Sequence, residues 1–363
     1  MSATSPLVCM TNAPSEQDVL LRIRTLRHKL GKRVLILGHH YQREEVFGFA
    51  DVTGDSLKLA QSAARTDAPF IVFCGVHFMA ETADILTRDD QTVILPDPAA
   101  GCSMADMADL AQVSAAWKQL SGVLDAETHI TPITYINSTA ALKAFCGQHG
   151  GSVCTSSNAR RIMDWGWDQR GKILFFPDEH LGRNTALAMG LGDEDMIVWD
   201  PFKPLGGNSE EDIREARLIL WRGFCSVHQL FKTQHVYDMR QQYPGIQVLA
   251  HPECSRHVCD IADMVGSTEA IIRHVEAAES GQAFAIGTEL NLVNRLRLRF
   301  PDKPVHFLSP TVCMCSTMFR IDPAHLCASL EGILANKVEN RVRVAGEDRR
   351  WALISLERML SLG

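Results

Sequence analysis

The sequence predicts an α/β protein made of three similar pieces whose strand ends face a common centre. Three observations lead there. Short apolar runs recur along the chain, and each gives way to a helix-like stretch. The runs are uninterrupted rather than alternating, which marks strands buried on both faces of parallel sheets. Polar residues gather just past the C-terminal ends of the runs, where such sheets bind ligands.

Taken in order, residues 1–15 read as a loose segment. In "EQDVLLRIRTLRHKLG", Val19, Leu20, Ile23, Leu26 and Leu30 share one helical face, and Gly31 stops the helix. The strand "RVLILG" ends at His39, His40 and Tyr41; alternation puts His39 and Tyr41 on one face and His40 on the other. "PFIVFCG" and "TVILP" follow, the first running into a helix, the second into "DPAAGCSMADM". The rhythm repeats with "HITPITYI", which leads to Asn137, then "GSVC", "KILFFP" and "MIVWDP". It repeats again with "IQVLAH", which leads to Glu253, then "DMVG", "AFAIGTE" and "VHFLSP". The expected domains are 16–110, 111–225 and 226–315, with C-terminal helices in 316–363 that return to the domains.

Composition narrows the function. Of 363 residues, 46% are hydrophobic, and 43 acidic against 36 basic residues give a net charge of −7. No Lys/Arg block offers a track for a phosphate backbone, so a nucleic-acid partner is not expected. No apolar run approaches the roughly 18 residues of a membrane span. The N-terminus lacks a basic region followed by an apolar one, so no signal peptide is expected. A cytoplasmic location follows, and there eleven cysteines do not read as a disulfide framework. Cys9, Cys74, Cys146, Cys154 and Cys327 stand in no polar constellation and read as buried packing.

A different pattern links three others. Each third closes with a cysteine in a turn after its last strand: Cys102 after "LPDPAAG", Cys225 after "LWRGF", and Cys313 or Cys315 after "FLSPT". Three thiolates suit zinc or iron–sulfur, and three protein ligands leave one coordination position open. A rival metal group is His251, Cys254, His257 and Cys259 in "HPECSRHVC", a plausible structural zinc set.

As an ordered set, "LGHHYQ", "GDSLKLA", "GVHFMAETADIL", "GCSMADM", "YINSTAALKA", "TSSNA", "CSVH", "HPEC", "VGST", "IGTE" and "CSTM" resemble the quinolinate synthase family. The resemblance runs from about Val34 to the end of the chain. It implies three homologous three-layer α/β/α domains around a pseudo-threefold axis. It also implies a [4Fe-4S] cluster on Cys102, Cys225 and Cys315, with Cys313 outside the ligand set. The implied reaction joins iminoaspartate to dihydroxyacetone phosphate, giving quinolinate for NAD biosynthesis. An aspartate-oxidising enzyme is the implied source of the imine.

The residues around such a centre take roles by type and place. Glu253 is the expected general base, its pKa raised by a dry pocket. His39, His228 and His251 are expected to move or donate protons, and Tyr41 to join them. Tyr135 and Asn137, two apart, share a face and are expected to touch substrate. Ser56, Ser156, Ser267 and Thr268 stand where a turn enters a helix, a place for phosphate or carboxylate. No Walker A or G-x-G-x-x-G pattern suggests a nucleotide.

Overall fold

Three small sheets organise the chain in the computed structural model, which describes residues 15–312 and 314–362. Cys9, Cys313 and all but the last residue of the expected loose segment lie outside the described residues. The first sheet holds β1 (Val34–His39), β2 (Val52–Gly54), β3 (Phe70–Cys74) and β4 (Thr92–Ile94), in the order β2–β1–β3–β4. The second holds β5 (Ile130–Tyr135), β6 (Ser152–Cys154), β7 (Lys172–Phe176), β8 (Met196–Trp199) and β9 (Leu218–Trp221), in the order β6–β5–β7–β9–β8. The third holds β10 (Gln247–Ala250), β11 (Met264–Val265), β12 (Phe284–Gly287) and β13 (Val305–Phe307), in the order β11–β10–β12–β13. Each sheet places its first strand between its second and third, and these pairings are all parallel.

Helices flank the sheets because the strands are apolar on both faces. In the third sheet Leu249, Phe284 and Ile286 pack into one cluster, and Val248, Ala250 and Ala285 into another. In β7, Ile173 and Phe175 point one way, and Leu174 and Phe176 the other. Alternation of this kind with apolar residues on both sides is the sequence cause of a layered α/β arrangement.

The C-terminal segment ties back to the first two sheets. Helix Pro323–Leu334 lies against helix Glu16–Leu30, and helix Gly346–Leu362 against helix Ala140–Gln148. That second contact is close: a Cβ on Gly147 would stand 2.0 Å from the Trp351 carbonyl oxygen. A two-residue strand not foreseen from the sequence, β14 (Arg341–Val342), adds to the first sheet antiparallel to β4. Among the described residues no helix is long and apolar enough to cross a membrane.

Candidate active site

The strand ends of all three sheets face one cavity. From the first sheet come His39, the last residue of β1, then Tyr41 and Ser56. From the second come Tyr135, the last residue of β5, then Asn137 and Ser156. His251, Glu253 and Thr268 come from the third, and the loop after β9 adds His228. Cys102, Cys225 and Cys315 line the same cavity, each from the loop that follows β4, β9 or β13. Ser267 does not line it. Its hydroxyl caps helix Thr268–Ala277, 3.4 Å from the Ala270 N–H, and receives a hydrogen bond from Ser157.

The loops are placed by ordinary capping and turn chemistry. Asp55, also in the cavity wall, accepts from the Lys58 N–H at 2.9 Å and starts helix Ser56–Arg65. His40 points away from His39, as alternation requires, with Nε2 2.9 Å from Glu269. Arg295 fastens this turn, donating to the His40 and Gln42 carbonyls at 2.8 Å each.

Inside the cavity a hydrogen-bonded chain joins the pieces. The Tyr41 hydroxyl lies 2.9 Å from the Thr288 hydroxyl and 3.3 Å from that of Thr268. His228 Nε2 lies 3.2 Å from the same Thr288 oxygen. His228 Nδ1 stands 2.7 Å from Glu253 Oε2, but too obliquely for a good hydrogen bond. The His228 and His251 rings stack at 4.6 Å and 24°. Asn137 Oδ1 is buried without a hydrogen-bond partner, so it is free to accept from a bound molecule.

Electrostatics then assign protonation. Burial, assisted by the nearby charges of His40 and Arg295, lowers the His39 pKa to about 3. Burial also lowers His251 to about 3. Both are neutral at pH 7. The backbone N–H of Tyr41 donates to His39 Nδ1 at 3.2 Å, and that of Glu253 to His251 Nδ1 at 3.3 Å. With Nδ1 accepting, each ring carries its proton on Nε2 and can donate there. Burial and the Glu253 charge keep the Tyr41 and Tyr135 phenols protonated.

Glu253 corrects the expectation of a raised pKa. Burial does push it upward, but the electrostatic pull of His228 and His251, with a hydrogen bond from Tyr135, outweighs that and holds it below the usual carboxylate range. It is an anion in the resting site. Burial pushes the Cys102 thiol up to about 12, and raises Cys225 and Cys315 as well. The Cys315 charge raises Cys102, and the charges of Cys102 and Cys315 both raise Cys225, as expected of three thiols that line one cavity.

The rival zinc set does not assemble. Of its four members, His251 faces the cavity, Cys254 is buried, and His257 is exposed. The one group of three candidate ligands brought together, among the described residues, is Cys225, His228 and Glu253. Cys74, Cys146, Cys154 and Cys327 are buried, as expected.

Comparison with known proteins decides the family. A family model described as "Quinolinate synthetase A protein" matches residues 21–361. A quinolinate synthase from Rhodopirellula baltica is 54% identical, over 96% of this chain and 92% of its own. One from Nocardioides sp. is 56% identical over 98% and 92%, and one from Bacillus subtilis 50% over 96% and 94%. The chain belongs to the quinolinate synthase family. As a member of that family it is an enzyme.

Sequence reasoning missed Thr288, which touches both Tyr41 and His228, and Asp55 in the wall. Both sit in quoted motifs, "IGTE" and "GDSLKLA", but a single Thr or Asp there carries no spacing signal.

Proposed function

We propose that this chain condenses iminoaspartate with dihydroxyacetone phosphate, releasing phosphate and two waters to give quinolinate for NAD biosynthesis. The observation that carries this reading is the meeting of Cys102, Cys225 and Cys315 in one buried cavity with the Glu253–His228 pair. The donor set fits a [4Fe-4S] cluster: three free thiols lining one cavity, on the loops that follow β4, β9 and β13. When bound, the cluster would supply a Lewis acid at its fourth iron, and its charge would draw the protons from the three thiols.

The chain's own groups do the rest. Ser56, Ser156 and Thr268, at or just before helix N-termini, hold the phosphate and carboxylates, with Ser267 fixing one of those helices. Neutral His39 and His251 donate Nε2–H groups to substrate oxygens without adding charge. Asn137 Oδ1 accepts from the substrate nitrogen. Tyr41 and Tyr135 donate from protonated phenols. Anionic Glu253 takes protons from carbon or nitrogen, and His228, 2.7 Å away, is placed to pass them on. Enclosure excludes water from the imine.

The shared strand order supports three repeated domains at 16–110, 111–225 and 226–315, arranged around a pseudo-threefold axis, with the 316–363 helices returning to them. The reading also places the enzyme in the cytoplasm, with the imine supplied by an aspartate-oxidising enzyme. Anaerobic incubation of the iron–sulfur-reconstituted chain with both substrates tests the function. Quinolinate, identified by mass, is expected in the complete mixture; its absence there refutes the reading.

A further inference from the structure

Buried polar atoms that lack partners mark a site waiting for something. His228 is 1% exposed, yet its Nδ1 makes no hydrogen bond. That nitrogen stands 2.7 Å from a Glu253 oxygen without pointing along the line to it. The Cys225 sulfur completes a group whose three donor atoms lie within 4.8 Å of one another. Sulfur, imidazole nitrogen and carboxylate oxygen are the three donor types zinc accepts. Ligand atoms around a tetrahedral zinc stand about 3.5 Å apart, so the 2.7 Å nitrogen–oxygen pair needs to open by somewhat under 1 Å and the sulfur to come in by at most about 1 Å.

The surroundings match as well. Metal-bound imidazoles are held by a partner on the other nitrogen, and His228 Nε2 has one in the Thr288 hydroxyl at 3.2 Å. A hydroxyl can accept from Nε2–H when Nδ1 binds a metal, and donate to Nε2 when it does not. The cavity leaves room for a fourth ligand such as water.

We propose that the cluster-free chain holds one divalent metal ion, Zn²⁺ by preference, on Cys225 Sγ, His228 Nδ1 and the Glu253 carboxylate. Zinc there uses one of the three proposed cluster thiols and both members of the acid–base pair. Zinc and the cluster therefore exclude one another. The zinc site stands on the geometry above; the exclusion rests also on the proposed cluster.

The test uses full-length, reduced, metal-free protein titrated anaerobically with Zn²⁺ by calorimetry, with Co²⁺ as a spectroscopic substitute. One ion per chain is expected, with a thiolate-to-cobalt absorption band. The double variant C102S/C315S should keep that site. H228A and E253A should each weaken zinc at least tenfold, and T288V by about 10- to 100-fold through the lost imidazole partner. Circular dichroism confirms that the variants fold, and a variant that does not is replaced by H228Q or E253Q. Loss of zinc in C102S/C315S with retention in H228A would overturn the assignment in favour of a three-cysteine site. Absence of stoichiometric binding would overturn it outright. Zinc-loaded protein should refuse iron and sulfide until chelated. If the chelated protein also refuses them, the cluster reading fails, while the titration still decides the zinc site.

Discussion

Replacing Thr288 with valine tests how the acid–base groups are held. Thr288 is fully buried, and its hydroxyl reaches Tyr41 at 2.9 Å and His228 Nε2 at 3.2 Å. Valine keeps the shape and removes the oxygen. Tyr41 retains Thr268 at 3.3 Å, so the loss falls mainly on the His228 nitrogen. A buried polar atom left unpaired costs about 1–3 kcal/mol. If that cost appears in the transition state, kcat falls by about 5- to 150-fold, since 1.4 kcal/mol is a factor of ten. T288S restores the oxygen without the methyl group and should recover most of the rate. The assay is anaerobic quinolinate formation, with kcat and KM separated and cluster content matched between variants. A T288V enzyme with unchanged kcat would show that the Thr288 hydroxyl does not hold the acid–base groups. So would a T288S enzyme as slow as T288V, because the methyl packing, not the hydroxyl, would then be what matters.

The other predictions concern metal, packing and pH. C102S, C225S and C315S should each lose iron and sulfide and the broad visible absorbance, whereas C254S and C259S should retain them. G147A should destabilise the protein by about 1–3 kcal/mol in denaturant unfolding, because the added carbon meets the Trp351 carbonyl oxygen 2.0 Å away. The hydrogen bond from His40 is the main cause that holds the Glu269 pKa below its usual value. Its stabilisation is complete above the unfolded value of about 4.3 and is lost as pH falls through the folded one. E269Q should therefore flatten the acid limb of the stability curve, by less than about 1 kcal/mol for a partly exposed pair.

The strands were legible because they are short, apolar and bounded by turns; β1, β3 and β7 stand where the sequence puts them. The cavity residues were legible because strand ends are where chemistry collects in such folds. Other features had no local signal. β14 is two residues long, begins with exposed Arg341, and forms only because the chain returns to β4. Glu253 could be read as buried but not as flanked by two imidazoles, which reverses the direction of its pKa. Glu289 is another case. It is fully buried, burial pushes its pKa up to about 7, and it accepts a long hydrogen bond from the Cys315 backbone N–H. Nothing in "IGTE" alone announces that contact. Ser267 could be read as a cap, and is one, but which caps also face the cavity depends on how the sheets meet.

A crystal structure of the reconstituted protein, grown and frozen without oxygen, shows which side chains hold the cluster. One four-iron cluster is expected, bonded to Cys102, Cys225 and Cys315, with its fourth iron free of side chains and facing Glu253 and His228. A cluster ligated by a fourth side chain, or a site that takes up no iron while the protein still makes quinolinate, would contradict that expectation.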